Sequence, residues 1–182
     1  MIKIIAGSAK GTTLLSPSGR STRPTLGRLR ESIFNVLSNV GFLETRVLDI
    51  FSGTGAMGLE ALSRGADRAV MIDHATAGLI RQNAVRCHVA DKARVLAGDV
   101  KAALRSLKGE QFDYIFMDPP YGKGYIEEVL VLVLACRLPA YNAIIVVEHT
   151  SSEPLSVPAD CEIWKEKRQG RALVTYLLCK NT

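Results

Sequence analysis

The sequence predicts an α/β protein: a mostly parallel sheet of seven strands with helices on both faces, preceded by a small hairpin and one helix. Three observations carry that prediction. From residue 46 onward, short apolar runs alternate with segments of helical period without a break. A glycine-punctuated turn, Gly53-Thr54-Gly55-Ala56-Met57-Gly58, follows the first of those runs directly. Acidic residues, Asp49, Asp73, Asp99 and Asp118, stand at or near the carboxyl ends of four successive runs. Strands separated by helices pair in parallel through right-handed crossovers, and the ligands of such sheets collect beyond the carboxyl ends of the strands. Four carboxylates along that edge are poorly explained by fold maintenance.

The elements follow in order. Residues 2–6 and 12–15 are short apolar runs around Gly7-Ser8-Ala9-Lys10-Gly11 and predict a hairpin. Residues 16–22, with Pro17 and Gly19, form a loop. Pro24 suits a helix start, where its missing N–H would be unpaired anyway. Leu26, Leu29, Ile33, Val36 or Leu37, and Val40 then recur at helical spacing as one buried stripe, with Arg28, Arg30, Glu31 and Asn35 off it. The helix stops near Gly41. Strands are predicted over 47–50, 69–72, 94–97, 114–117 and 143–147, with helices over 57–64, 76–89, 100–107 and 126–136 between them. Two final strands, 161–167 and 172–179, flank a polar turn at Gln169-Gly170 and form an antiparallel pair.

Composition bounds the class. The chain has 182 residues, 47% hydrophobic and 23% charged, enough for one sizeable core and too few for two ordinary domains and a linker. No apolar run approaches the ~20 residues needed to span a bilayer. The N-terminus carries no signal-peptide pattern, so a cytoplasmic protein with no membrane partner is expected. Cys87, Cys136, Cys161 and Cys179 show no C-x-x-C spacing and no histidine pairing; free buried thiols and no metal are expected. His74, His88 and His149 lack metal-ligand spacing and are placed on the surface, although His74 could touch a cofactor; Trp164 packs at a strand edge. Of the net charge of +5, residues 1–44 supply +4, from Lys3, Lys10, Arg20, Arg23, Arg28 and Arg30 against Glu31 and Glu44. A basic extension, 1–44, on a near-neutral core, 45–182, suggests that a polyanion docks at one end of a single domain.

The chemistry is read from the strand ends. Glycines let a ligand lie against bare backbone, and the helix that follows points free N–H groups into the same space. Nicotinamide and flavin enzymes share this spacing. Asp49 inside the preceding strand narrows the choice, because a carboxylate below the loop accepts hydrogen bonds from an ammonium group. A pyrophosphate offers no such donor, whereas the methionine end of S-adenosylmethionine does. Asp73, 20 residues after Gly53, can accept both hydroxyls of a ribose. Asp99 is placed where an adenine would lie, and reads equally well as the N-cap of the helix at Val100. Phe51, Ser52, Gly53, Gly55, Gly58, His74 and Val100 complete the candidate cofactor contacts.

Asp118-Pro119-Pro120-Tyr121 is the most specific signal. Two prolines fix φ twice and remove two N–H groups, and Asp118 before Pro119 is pushed to an extended conformation. The result is an array of acceptors beside an aromatic face. Accepting both N–H groups of a nucleobase amine frees its lone pair, and Tyr121 can stack on the base.

At these residues the chain resembles class I S-adenosylmethionine-dependent amino-methyltransferases, and more narrowly the bacterial 16S ribosomal RNA guanine-N2 methyltransferase family. The resemblance covers nearly the whole chain: Ile4-Ile5-Ala6-Gly7 with Lys10-Gly11; Arg23-Pro24-Thr25, Arg28, Arg30-Glu31, Phe34-Asn35 and Leu37; Leu48 to Gly55; Gly58 to Ala66; and Phe116 to Tyr121. The second strand ends Ile72-Asp73-His74 where a glutamate is more usual, which leaves a shorter carboxylate for the ribose. The resemblance implies a Rossmann-like fold and methyl transfer from S-adenosylmethionine to the N2 amine of one guanine in 16S ribosomal RNA. The substrate would be an assembling small subunit and the enzyme a monomer. Asp118, Pro119, Pro120 and Tyr121 would be catalytic, and Arg20, Arg23, Arg28 and Arg30 would grip phosphates. Three alternatives stand beside it: an amino-methyltransferase of another RNA or DNA base, a nicotinamide-dependent oxidoreductase, and a non-catalytic RNA-binding assembly factor.

Overall fold

Seven strands form the central sheet, and two more form a separate hairpin. In the computed structural model, residues 1–17, 24–120, 124–153 and 155–180 are described, residues 24–26 by their backbone alone. A two-stranded antiparallel hairpin, β1 (Ile2–Lys3) and β2 (Thr13–Leu14), precedes helix α1 (Pro24–Leu37). The alternating core then runs β3 (Arg46–Ile50), α2 (Ala56–Ser63), β4 (Arg68–Asp73), α3 (Ala77–Arg86), β5 (Ala93–Ala97), α4 (Val100–Ser106), β6 (Phe112–Met117), α5 (Tyr125–Ala135) and β7 (Pro139–Thr150). The strands β8 (Cys161–Gln169) and β9 (Ala172–Cys179) complete the sheet, whose order is β5-β4-β3-β6-β7-β9-β8. Pairs β3·β4, β4·β5, β3·β6 and β6·β7 are parallel; β7·β9 and β8·β9 are antiparallel.

Two cores, one on each face, follow from the alternation of side chains along every strand. One packs Leu29, Ile33, Phe34 and Leu37 of α1 with Leu59 of α2 and Ile80 of α3 onto Val47, Met71, Phe116 and Val146. The other packs Leu104 of α4 and Val129 and Val133 of α5 onto Leu48, Ile72, Ile115 and Val147. The chain leaves β3 for β4 on one side and enters β6 on the other, so the sheet's switch point lies between β3 and β6. Among the described residues, no helix is long and apolar enough to cross a membrane.

The N-terminal hairpin is bolted to the core behind the glycine turn. Glu60 of α2, fully buried, accepts the N–H groups of Ile5 and Ala6 at 2.7 and 3.0 Å and the Arg64 guanidinium at 2.8 Å. Ser63 Oγ accepts the Ala9 N–H and donates to the Ala6 carbonyl. Gly7 comes so close that a Cβ there would lie 1.7 Å from the Ser63 carbonyl oxygen. Asn83 of α3, also fully buried, ties Leu15 to the Thr54 carbonyl of the turn.

Four expectations are corrected here. Arg30 is not a surface cation: it is 7% exposed, and its guanidinium donates to the Lys3 carbonyl, because the hairpin folds over that side of α1. Val40 lies beyond the helix and is 57% exposed. Cys161 and Cys179 are not free thiols; antiparallel pairing of β8 and β9 sets them directly opposite, Cα atoms 4.2 Å apart, and they are joined as a disulfide. Cys87 and Cys136 are free and buried, as expected. His149 is buried rather than on the surface, its ring against Thr175 Oγ1 at 2.8 Å and the Glu153 carbonyl at 3.1 Å, because β9 covers that stretch of β7.

Candidate active site

Everything singled out on the strand ends meets at one edge. Strand β3 delivers Asp49, β4 delivers Asp73, the loop after β5 delivers Asp99, and β6 delivers Asp118. The turn after β3 is built on backbone the side chains cannot relax: Phe51 takes φ 62°, Gly53 56° and Gly55 78°. A phenylalanine in the left-handed region is strained, a condition that clusters at functional sites. Its ring lies 6.1 Å from that of Tyr125 at the start of α5.

The three glycines serve different ends. Gly53 has nothing within 4 Å of where a Cβ would stand, so its backbone is open to a ligand. A Cβ on Gly55 would lie 2.9 Å from Ile80 Cγ2. One on Gly58 would lie 2.8 Å from Met71 Cγ. The last two let the turn and α2 settle onto α3 and β4 and bring the Gly58 N–H down to Asp49. Gly58 therefore supports the site from behind, and its N–H donates to Asp49 Oδ2 at 3.0 Å.

Asp49 is 3% exposed. Burial raises its pKa, the Gly58 N–H opposes that, Asp73 adds to it and the Ser52 hydroxyl opposes it; the balance lies at about 7. A buried carboxyl so poised gains most from a cation, which restores its charge. Ser52 is buried too, its hydroxyl on the Asp49 carbonyl at 2.6 Å.

Asp73 is arranged in the opposite sense. Its Oδ2 accepts the Gly53 N–H, and its Oδ1 the N–H groups of Ala75 and Thr76, all at 2.9 Å. Partial burial would raise its pKa, but bonds from Thr76, Gly53 and Ala75 outweigh that and hold it low. The short side chain thus braces the turn, with acceptor capacity left over on its oxygens. His74 beside it is exposed. Asp99 N-caps α4, accepting the Ala102 N–H at 2.9 Å, and Val100 packs against the second core.

Asp118 stands exposed at the end of β6, with Pro119 buried behind it and Pro120 exposed. The enclosing protein, then the Glu148 carboxylate, then Asp49, push its pKa up to about 7. Water reaching the open cleft screens part of that field. Glu148 of β7 is the residue that reading the sequence missed: it follows an apolar run, Ile144 to Val147, and its only local sign is a charge at the end of that buried run. Tyr121, Arg20 and Arg23 lie outside the described residues.

Helix α1 is aimed at the same edge. Phe34 packs on Phe116 with ring centroids 5.7 Å apart, Phe42 beyond the helix packs on Tyr114 at 4.7 Å, and the Tyr114 hydroxyl donates to the Gly41 carbonyl. The helix therefore runs antiparallel to β6, and its first turns, with Arg28 exposed, point toward the Asp118 end. A separate recess of about 240 Å³, lined in part by His149, Glu166 and Thr175, lies among β7, β8 and β9. Its polar groups bond to one another, from Glu166 through Thr175 to His149, so it offers no comparable constellation.

The arrangement can hold a ligand with a cationic end over Asp49, its middle along Gly53 and a hydroxylated portion near Asp73, and can present Asp118 to a second molecule across the switch point. Known proteins resemble this chain over nearly its whole length. Ribosomal RNA small subunit methyltransferase D of Escherichia coli K12 is 37% identical over 180 residues, covering 97% of this chain and 88% of that protein. The protein of the same name from Haemophilus influenzae is 32% identical, covering 99% and 94%. The yhhF protein of Escherichia coli superposes with a TM-score of 0.88 at 35% identity, covering 100% of this chain and 99% of that one. The O-methyltransferase of Bacillus cereus, at 14% identity and a TM-score of 0.65, shares the fold. The fold is thus that of the class I methyltransferases, as the strand pattern and motifs led us to expect. A match over residues 2–178 joins these near-full-length relatives, and the chain belongs to the family described as Conserved hypothetical protein 95.

Proposed function

We propose that the protein methylates the exocyclic N2 amine of a guanine in small-subunit ribosomal RNA, with S-adenosylmethionine as donor. The observation that carries the reading is Asp118 at the carboxyl end of β6, one strand from Asp49 and its glycine turn, in register Asp49↔Phe116. The relatives named as small-subunit ribosomal RNA methyltransferases supply the substrate class. The residues present fit the donor: Asp49 for its ammonium group, Gly53 and Ser52 for its backbone contacts, Asp73 for its ribose. Bound there, S-adenosylmethionine supplies an electrophilic methyl group on a sulfonium.

The chain's own residues orient the acceptor. Asp118 accepts one N–H of the guanine amine and the Pro119 carbonyl accepts the other, which localises the nitrogen lone pair for in-line attack. Asp118 then receives the proton that the methylated amine sheds; a carboxyl poised near 7 can hold it. No covalent intermediate is needed, since Cys87 and Cys136 are buried away from the edge. The base must leave its stack to reach Asp118, and Tyr121 is assigned to stack on it. Residues 1–44 form the RNA-facing extension of a single domain, with Arg28 a phosphate contact and Arg20 and Arg23 assigned to the same role.

The test is incubation with labelled S-adenosylmethionine and either unmethylated small subunits or naked 16S ribosomal RNA, followed by nucleoside analysis. N2-methylguanosine at one position is the expected product. Label on another base, or none with either substrate, overturns the reading.

A further inference from the structure

A parallel register pairs β6 with β7, Phe116 with Val146 and Met117 with Val147. The next residues of the two strands, Asp118 and Glu148, therefore stand side by side on one face of the sheet. That face is the one whose core holds Phe116 and Val146 two residues earlier. Adjacent strands lie about 4.8 Å apart, so the two carboxylates are near neighbours. Glu148 is 9% exposed, and its charge is the largest among those that raise the Asp118 carboxyl. Two like charges side by side work against folding. A ligand edge carrying two adjacent donors matches two adjacent acceptors of this kind.

Guanine has such an edge: the ring N1–H and the N2 amine are consecutive donors on its Watson–Crick side. Adenine and cytosine carry a lone pair on the ring nitrogen beside the amine, and a carboxylate facing it is repelled. Resting on the guanine-N2 reading above, we infer that Glu148 accepts the guanine N1–H while Asp118 accepts N2–H, so that Glu148 is the residue that admits guanine and rejects other amine-bearing bases. Alternation along β7 turns its neighbour His149 to the opposite face, into its own bonds with Thr175 and Glu153, and leaves Glu148 on the face of Asp118.

The test uses the full protein and RNA carrying, at the methylated position, either guanine or 2,6-diaminopurine, which keeps the 2-amine and replaces N1–H by a lone pair. The wild-type protein should favour guanine by roughly 10³-fold or more in kcat/KM, the scale on which a site built for a hydrogen bond rejects a base lacking the donor. In Glu148→Gln, the amide can donate to that lone pair. Guanine activity should fall about 100-fold and the guanine preference at least about 10-fold, with donor affinity unchanged. Equal wild-type rates on the two RNAs overturn the inference whatever the variant does. So does a variant that loses activity on both in the same proportion, since that is what a merely structural role produces. Failure of the guanine-N2 reading has a different signature, label on another atom of the unmodified RNA, and removes this inference with it.

Discussion

The donor side and the acceptor side of the site use the same residue type in opposite ways. On the donor side the chain answers its own carboxylates: Gly58 N–H meets Asp49, and the N–H groups of Gly53, Ala75 and Thr76 meet Asp73. On the acceptor side Asp118 is set beside Glu148, and among the described residues no N–H group donates to it. A turn braced by its own backbone is preorganised before any ligand arrives. A carboxylate crowded by another is poised to take hydrogen-bond donors from outside. In the proposed reaction, binding falls to one side and base recognition with chemistry to the other, and each can be broken separately.

The largest effect should come from the acceptor side. Asp118→Ala removes the acceptor aimed at the reacting amine, and groups of this kind are worth about 10²–10³ in turnover. We expect methyl transfer to fall by about 10³ while donor affinity, measured by calorimetry, stays within about threefold. A donor affinity that fell in parallel would show that the two sides are not separable.

Asp49→Asn tests the other half. The amide oxygen can still accept the Gly58 N–H, but the charge that holds a cation is gone. Donor affinity should fall about 100-fold, the worth of a charge-assisted bond in a buried site. The unliganded protein should move the other way. Its Asp49 pKa, about 7, is raised above the unfolded value of about 3.9, so the folded state binds the extra proton between them. Stability therefore declines as pH rises from about 4 to about 7 and is flat above. Removing the group should add about 1–3 kcal/mol above pH 7 and nothing below pH 4, read from urea midpoints at the two pH values. A variant that bound the donor normally would break the assignment of Asp49 to the ammonium group.

The pH profile sharpens the comparison further. Asp49 and Asp118 both have pKa values raised to about 7, and the proposed reaction needs both ionised. At limiting donor, kcat/KM should fall below pH 7 by more than tenfold per unit, since both must lose a proton; at saturating donor only the acceptor side should remain, at about tenfold per unit. Equal slopes under the two conditions would mean that only one carboxyl titrates.

How much of this was legible in the sequence follows the same division. The glycine turn, the strand-end carboxylates and the parallel order are local patterns with fixed spacing, and Asp49, Asp73 and Asp118 all lie at the expected edge. What was not legible depends on partners distant in the chain. Glu60 looks like one acidic residue on a helix until Ile5 and Ala6, more than fifty residues away, present their N–H groups to it. Glu148 gains meaning only from its register with Asp118, and Cys161 only from its register with Cys179. Periodicity predicts which face a residue takes, not which strand lies opposite.

Arginines give the smallest effect and the finest discrimination, because two from one helix that looked alike in sequence differ in place. Arg28 is exposed on the turn of α1 that points toward Asp118, whereas Arg30 is buried with its guanidinium on the Lys3 carbonyl. Burial first, opposed by Glu60 and aided by Arg64, lowers the Arg30 pKa, and its Nε has no hydrogen-bond partner among the described residues. A phosphate cannot reach a group in that position. Arg28→Ala should weaken RNA binding a few-fold and reduce the slope of log affinity against log salt by about 1, with the unfolding midpoint unchanged. Arg30→Ala should leave the salt slope as it is and lower stability by about 2 kcal/mol, the loss of a packed, hydrogen-bonded side chain. Binding isotherms at four salt concentrations, beside a thermal melt of each variant, separate the two; a changed slope for Arg30→Ala would restore it to the RNA-facing surface.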